Sequence, residues 1–226
     1  GYSILSRWTK KNKKIIYDSR IKSANLIFDN CKMMNVNPKT FISASAIGIY
    51  DQYAKANMYE DSLMGTDWVA EMACDWENAA EKFNKFGTRI VQMRISLIFS
   101  EKSGFLKYNL LSMKYGLGLI IGDRKRKVNW MHVYDIVRFI KESIVNSNYT
   151  GPYNLACEDK ISQEDFIKII RKKLFPYCIV VKIPFFLVSF FLGERSQIIS
   201  ADISLETQKI NKIGFTCKYN SLKKIM

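Results

Sequence analysis

The stretch from Thr40 to Tyr50, TFISASAIGIY, restricts what this chain can fold into more than any other. Thr40, Phe41 and Ile42 are β-branched and aromatic types that suit a pleated, half-buried surface. Four small side chains follow (Ser43, Ala44, Ser45, Ala46), and Ile47-Gly48-Ile49-Tyr50 closes the stretch with a flexible point and a phenol. It reads as one buried strand ending in a polar turn of small residues. In open α/β sheets ligands sit outside the carboxyl ends of the strands. Small residues there let a flat cofactor or a sugar approach the backbone. The hydroxyls of Ser43, Ser45 and Tyr50 can then bond a substrate hydroxyl or carbonyl. The competing reading is a core strand running into a loop, its serines satisfied by backbone.

The flanks extend the pattern. Trp8 to Met34 reads as a helix, with Ile15, Ile16, Ala24, Ile27 and Phe28 in a loose apolar stripe. Asp51 to Gly65 is a polar loop over the strand end. Asp67 to Phe86 is a second helix, with Trp68, Met72, Trp76, Ala79, Ala80 and Phe83 at helical spacing and Gly87 as its stop. Arg89 to Phe99 is apolar enough for a parallel strand buried on both faces. Helix, strand, helix, strand is half of a doubly wound parallel sheet. Shorter elements follow: a helix capped by Ser103 through Lys114, strands at Leu119–Ile121 and Val128–Val133, a helix at Asp135–Val145 and a strand at Tyr153–Ala156. Ser162 caps a helix to Leu174, with Asp165 in the capping-box position. Tyr177–Ile183 reads as a buried strand, Pro184 opens a helix, and Ser204–Asn211 is the last helix. A soft division falls near Phe99–Gly104, giving units at 1–100 and 101–226.

The formal charge of +14 on 226 residues invites a nucleic-acid or anionic-membrane partner. The lysines, however, are scattered, apart from Lys10-Lys11-Lys13-Lys14 and Arg124-Lys125-Arg126-Lys127, and no zinc-finger or aromatic-interleaved RNA motif is present. The expectation is therefore no nucleic acid. The apolar run Ile179–Leu192 contains Lys182 and Pro184 and is too short to span a bilayer, so no membrane is expected either. Five widely spaced cysteines and one histidine argue against a disulfide framework and a metal site, and point to reduced thiols in the cytoplasm. The chain begins at Gly1 rather than methionine, which reads as a fragment or a processed product.

Several stretches in order resemble the extended short-chain dehydrogenase/reductases, in particular the NAD-dependent epimerase/dehydratase-like subgroup with a C-terminal domain of unknown function. They are Arg7-Trp8-Thr9, Asp18-Ser19-Arg20, Ile42 to Ala46, Asp75-Trp76-Glu77, Arg94, Trp130-Met131-His132 with Asp135, Gly151-Pro152-Tyr153-Asn154, Gly193-Glu194 and Gly214-Phe215. The resemblance implies a partial Rossmann-like sheet with a smaller mixed α/β C-terminal lobe, and NADP or NAD as cofactor. It implies a small-molecule substrate of the nucleotide-sugar kind and a homodimer built on the Trp68–Phe83 helix. It matches Gly1 to the glycine ending the family's fourth strand, so that the glycine-rich pyrophosphate turn falls outside this sequence. No GxGxxG is present.

In the wider superfamily a serine polarises the substrate oxygen and a tyrosine in a YxxxK pair passes the proton. Ser45 matches the serine, but the helix start reads Trp68-Val69-Ala70-Glu71-Met72-Ala73-Cys74, with neither tyrosine nor lysine. Tyr50 and Tyr53 are the phenols that the loop offers in its place, neither with a lysine at the needed spacing, and an unperturbed phenol, with a pKa of about 10, is a poor base at neutral pH. Cys74 reads as a thiol acid or as a structural cysteine. The resemblance makes Ser45 and Tyr50 catalytic, places Ser43, Ala44 and Arg94 at the cofactor, and places Ala46, Arg20, Trp130 and His132 at the substrate. Each has a structural rival: a core role for Trp130, packing for His132, and an ion pair with Asp51 or Glu77 for either arginine. Two functions follow, an NAD(P)-dependent epimerase-like oxidoreductase or a catalytically inactive Rossmann-like binding protein of the kind loosely described as cell-division inhibitors.

Overall fold

A computed structural model of the chain describes residues 1–100 and 104–225. The elements run α1 (Lys10–Met33), β1 (Thr40–Ala46), β2 (Asn57–Met58), α2 (Trp68–Glu81), β3 (Arg89–Ile95), β4 (Leu97–Phe99), α3 (Gly104–Lys114) and β5 (Leu117–Ile121). They continue β6 (Lys127–Val128), β7 (Trp130–His132), α4 (Val133–Val145), β8 (Gly151–Leu155), β9 (Ile161–Ser162), α5 (Gln163–Leu174) and β10 (Ile179–Ile183). The chain closes with α6 (Phe185–Leu192), α7 (Gln197–Ser200), β11 (Ser204–Leu205), α8 (Gln208–Lys212) and α9 (Leu222–Ile225).

The organising unit is a three-stranded parallel sheet in the order β1-β3-β8. Thr40–Ala46 alternates as a strand must. Ile42 and Ala44 face the apolar cluster of Val91, Met93, Phe139 and Tyr153, beneath α4. Phe41 points the other way, stacked on Phe83 beneath α2, with ring centroids 3.8 Å apart. Helices therefore cover both faces, which is what doubly wound means. α1 lies on α2, and Ile16, Ile21, Ala24, Met72 and Ala79 form the seam. Thr9 caps α1 by accepting from the Asn12 N–H, and Gly87 ends the turn after α2 with φ +69°, a conformation that disfavours a side chain. Gly48, read from the sequence as a flexible point, is instead a close approach: a Cβ there would lie 2.7 Å from the Val69 Cγ1 on α2.

Four expectations need correction. Arg89–Phe99 is not one strand but two. At Ser96 the chain leaves β8, its N–H and hydroxyl both donating to the Leu155 carbonyl, and β4 then pairs with β7. The last helix is shorter than Ser204–Asn211, because Ser204 and Leu205 form a strand against β2. The run from Ile179 is not buried: among the described residues β10 pairs only with β5, and no residue of α6 is buried. The sheet also crosses the division drawn at residue 100, since β8 comes from the second half. The Ser103 cap falls outside the described residues. All five cysteines are free thiols. Among the described residues no helix is long and apolar enough to cross a membrane.

Candidate functional site

Strand register assembles the site. Ser45 on β1 is opposite Arg94 on β3, and Arg94 is opposite Asn154 on β8, so one polar row crosses the carboxyl end of the sheet. Side chains two residues apart share a face, and this row lies on the α2 side. There Glu77 meets it. The Arg94 guanidinium grips the Glu77 carboxylate with two hydrogen bonds, Nε to Oε1 and Nη2 to Oε2, both 2.9 Å. Ser45 donates to the same Oε1 at 2.7 Å. Arg94 Nη1 donates to the Tyr50 hydroxyl at 2.8 Å and to the Glu60 carbonyl at 2.7 Å. Tyr50 donates onward to Asn154 Oδ1 at 2.6 Å, and the Glu60 carboxylate accepts the Asn154 N–H at 2.8 Å.

Ser45, Tyr50, Glu77, Arg94 and Asn154 are all buried, under the loop that follows Tyr50. Burial alone would lower the Arg94 pKa, but the hydrogen bonds and charge of Glu77 outweigh it and leave it above the ordinary value. Burial raises the Tyr50 phenol, despite the Arg94 charge beside it. A phenol so held keeps its proton at neutral pH. The network is a rigid, fully partnered frame rather than an open acid–base pair.

The open part lies beside β1. A cleft of about 280 Å³ is bounded by α1 and β1, with Arg20, Ser23, Ser43, Ala44 and Trp76 among its walls. The Ser43 hydroxyl donates to the Ala44 carbonyl at 3.1 Å. Arg20 Nη1 donates to the Ile16 and Tyr2 carbonyls, and its guanidinium lies over the Trp76 ring at 5.4 Å. Burial lowers the Arg20 pKa.

The structure thus brings Ser45, Tyr50 and Arg94 into one network, and Ser43, Ala44 and Arg20 to one cleft. Of the two ion pairs open to Arg94, the one with Glu77 forms. Ala46 closes β1 opposite Ile95. Trp130 and His132 stand elsewhere. Trp130 is fully buried, stacked on Phe99 at 4.6 Å, with its indole N–H donating to the Asp159 carbonyl. His132 caps α4, its Nδ1 accepting the Tyr134 N–H at 3.2 Å, and its ring packs on Tyr219. Asp135, fully buried, accepts the N–H groups of Lys218 and Tyr219 and so ties α4 to the C-terminal segment. Glu60, Glu77 and Asn154 were not among the expected site residues. Glu77 had a legible signal: it stands between Ala73 and Ala80 on the buried face of α2, where a carboxylate demands a partner. Among the described residues no group of acidic, cysteine and histidine side chains could hold a metal.

No family model matches the chain. The epimerase family protein YfhF of Bacillus subtilis is 32% identical over 225 residues, which is 99% of this chain and 73% of that protein. The chain belongs to the epimerase family. An epimerase family protein of Staphylococcus haemolyticus is 30% identical, over 99% of this chain and 75% of its own length. Among solved structures, the human epimerase family protein crystallised with NADPH superposes with a TM-score of 0.88 at 20% identity, covering 98% of this chain and 76% of that one. An L-threonine dehydrogenase from Phytophthora infestans gives 0.77 at 15% identity, over 96% and 71%. At those identities the likeness concerns the fold: a Rossmann-like α/β architecture.

Proposed function

We propose that this epimerase-family chain supplies the substrate side of an NAD(P)-dependent, sugar-nucleotide epimerase- or dehydratase-like oxidoreductase. The observation that carries the reading is the cleft beside β1, where the half-buried Arg20, the Ser23 and Ser43 side chains and the Trp76 ring converge. A guanidinium beside an aromatic face suits a phosphate joined to a ring. At about 280 Å³ the cleft is at the lower limit of small-ligand pockets, about 300–1,000 Å³. It suits a sugar or one phosphate-bearing part of a nucleotide sugar. In this reading residues 1–100, joined by β8, form the Rossmann-like sheet that carries the cleft, and the remainder of 101–226 forms the C-terminal lobe. A homodimer built on α2 and its neighbour α1 belongs to the same proposal, with light scattering in solution as its test.

The residues present do not fit a whole dinucleotide. The sequence has no GxGxxG turn for the pyrophosphate, and Arg94 is committed to Glu77. In a thermal-shift titration NADPH should give no saturable shift, whereas UDP-glucose should give one that Arg20→Ala weakens by about tenfold, the loss of one charge-assisted contact. A saturable NADPH shift would contradict the first part, and UDP-glucose binding indifferent to Arg20 would contradict the second. A specific observation favours a second reading, a binding protein without catalysis: the Ser45 and Tyr50 hydroxyls are both spent inside the buried network, and α2 begins with no tyrosine or lysine.

A further inference from the structure

The second half of the chain carries an apolar surface that the epimerase reading does not use. Leu117 and Ile179 are cross-strand partners on β5 and β10, and both side chains are exposed, as is Val181 two residues on. Immediately after β10, α6 reads FFLVSFFL. Phe190 is 81% exposed and Phe191 78%, and the one polar side chain, Ser189, turns its hydroxyl back to the Phe186 carbonyl. A helix apolar on every side is ordinarily a buried helix, and a contiguous exposed patch of this kind marks an interaction surface.

The rim is cationic. Gly122 and Asp123 face Lys182 and Phe185 across a concavity of about 450 Å³ at the foot of α6, and the exposed Arg124, Lys125 and Lys127 follow in the same turn. At the other end of the two strands, exposed Lys114 precedes Tyr115, and its carbonyl accepts the Tyr177 hydroxyl at 2.9 Å. Asp123 is the acid in that turn.

We infer that this face docks on the surface of an anionic lipid bilayer, with the α6 phenylalanines in the interfacial layer and the lysines and arginines over the headgroups. Three features select that occupant. Phe186, Leu187, Phe190 and Phe191 form one exposed stripe, with Phe185, Val188 and Leu192 half-buried behind them, so the helix presents a single apolar face outward, as an interfacial helix does. Exposed Tyr115 and Tyr177 have the apolar body and polar tip that suit headgroup depth. A second copy would bring one basic rim against another on a chain of net charge +14. The eight-residue helix lies on the bilayer and is far too short to cross it.

Vesicle flotation tests the inference. The protein should float with vesicles of phosphatidylcholine and phosphatidylglycerol, and remain behind with phosphatidylcholine alone. Phe190→Ser with Phe191→Ser should reduce partitioning about tenfold or more. Lys125→Gln and Lys182→Gln should each reduce it about fivefold, with the remaining binding weakened by salt. These side chains are exposed, so an unchanged melting temperature shows that the variants fold. Flotation equal on both vesicle types, flotation unaffected by the phenylalanine substitutions, or no flotation of the unmodified protein overturns the inference. So does a dimer in light scattering that the same substitutions dissolve, because a second copy would then cover the face.

Discussion

Two regions of this molecule invert the usual distribution of residues in opposite senses. At the carboxyl end of the sheet an arginine and a glutamate are buried, at 2% and 6% exposure. On α6, phenylalanines stand in solvent. The first inversion is stable because every charge and hydroxyl there has a partner, and no buried side-chain nitrogen or oxygen among the described residues lacks one. The second has no such compensation among the described residues, where no side chain of α6 is buried. Buried polarity that is satisfied within the fold holds a geometry, while exposed apolarity marks a surface made for something else.

Glu77 is the point on which the buried network depends most. Glu77→Ala strands the Arg94 charge and leaves Ser45 unpartnered, and should cost about 3–5 kcal/mol in urea denaturation. Replacing both members, Glu77→Leu with Arg94→Met, should recover much of that. Equal losses in the single and double variants would mean that packing, not charge, holds the region. Tyr50→Phe removes one link, leaving Asn154 Oδ1 and Arg94 each one contact short, and should cost about 1–3 kcal/mol by the same measurement.

Alkaline pH probes the same dependence on internal partners. The hydrogen bond to Asp75, and then burial, push Tyr17 from 10.0 up to about 12, and burial raises Tyr50 and Tyr153. Between those values the folded chain holds protons that the unfolded chain has released, so stability falls as pH rises from 10 to 12. Tyr17→Phe should flatten that fall, and an unchanged slope would remove Tyr17 from the account. The smallest effect belongs to α6. Phe190→Ser with Phe191→Ser should leave stability within about 0.5 kcal/mol of the parent protein. A loss comparable to that at Glu77 would show that α6 is packed after all and erase the contrast.

Sequence alone fixed what local chemistry decides. The small-residue strand at Thr40–Ala46, the helices on either side of it and the glycine stop at Gly87 were all legible, because strand alternation, helical spacing and positive φ are properties of neighbouring residues. Ser45, Tyr50 and Arg94 could be named from the sequence, with Glu77 as one of two ion-pair partners open to the arginine, but not the choice among partners. Whether Arg94 would face Glu77, a cofactor or solvent depends on the register of β1, β3 and β8 and on how α2 lies over them, and no short stretch encodes that. The same limit applies to the run from Ile179 to Leu192. Its apolarity is written in the residues, but whether anything in the chain covers it is decided only when the elements pack, and here nothing among the described residues buries α6.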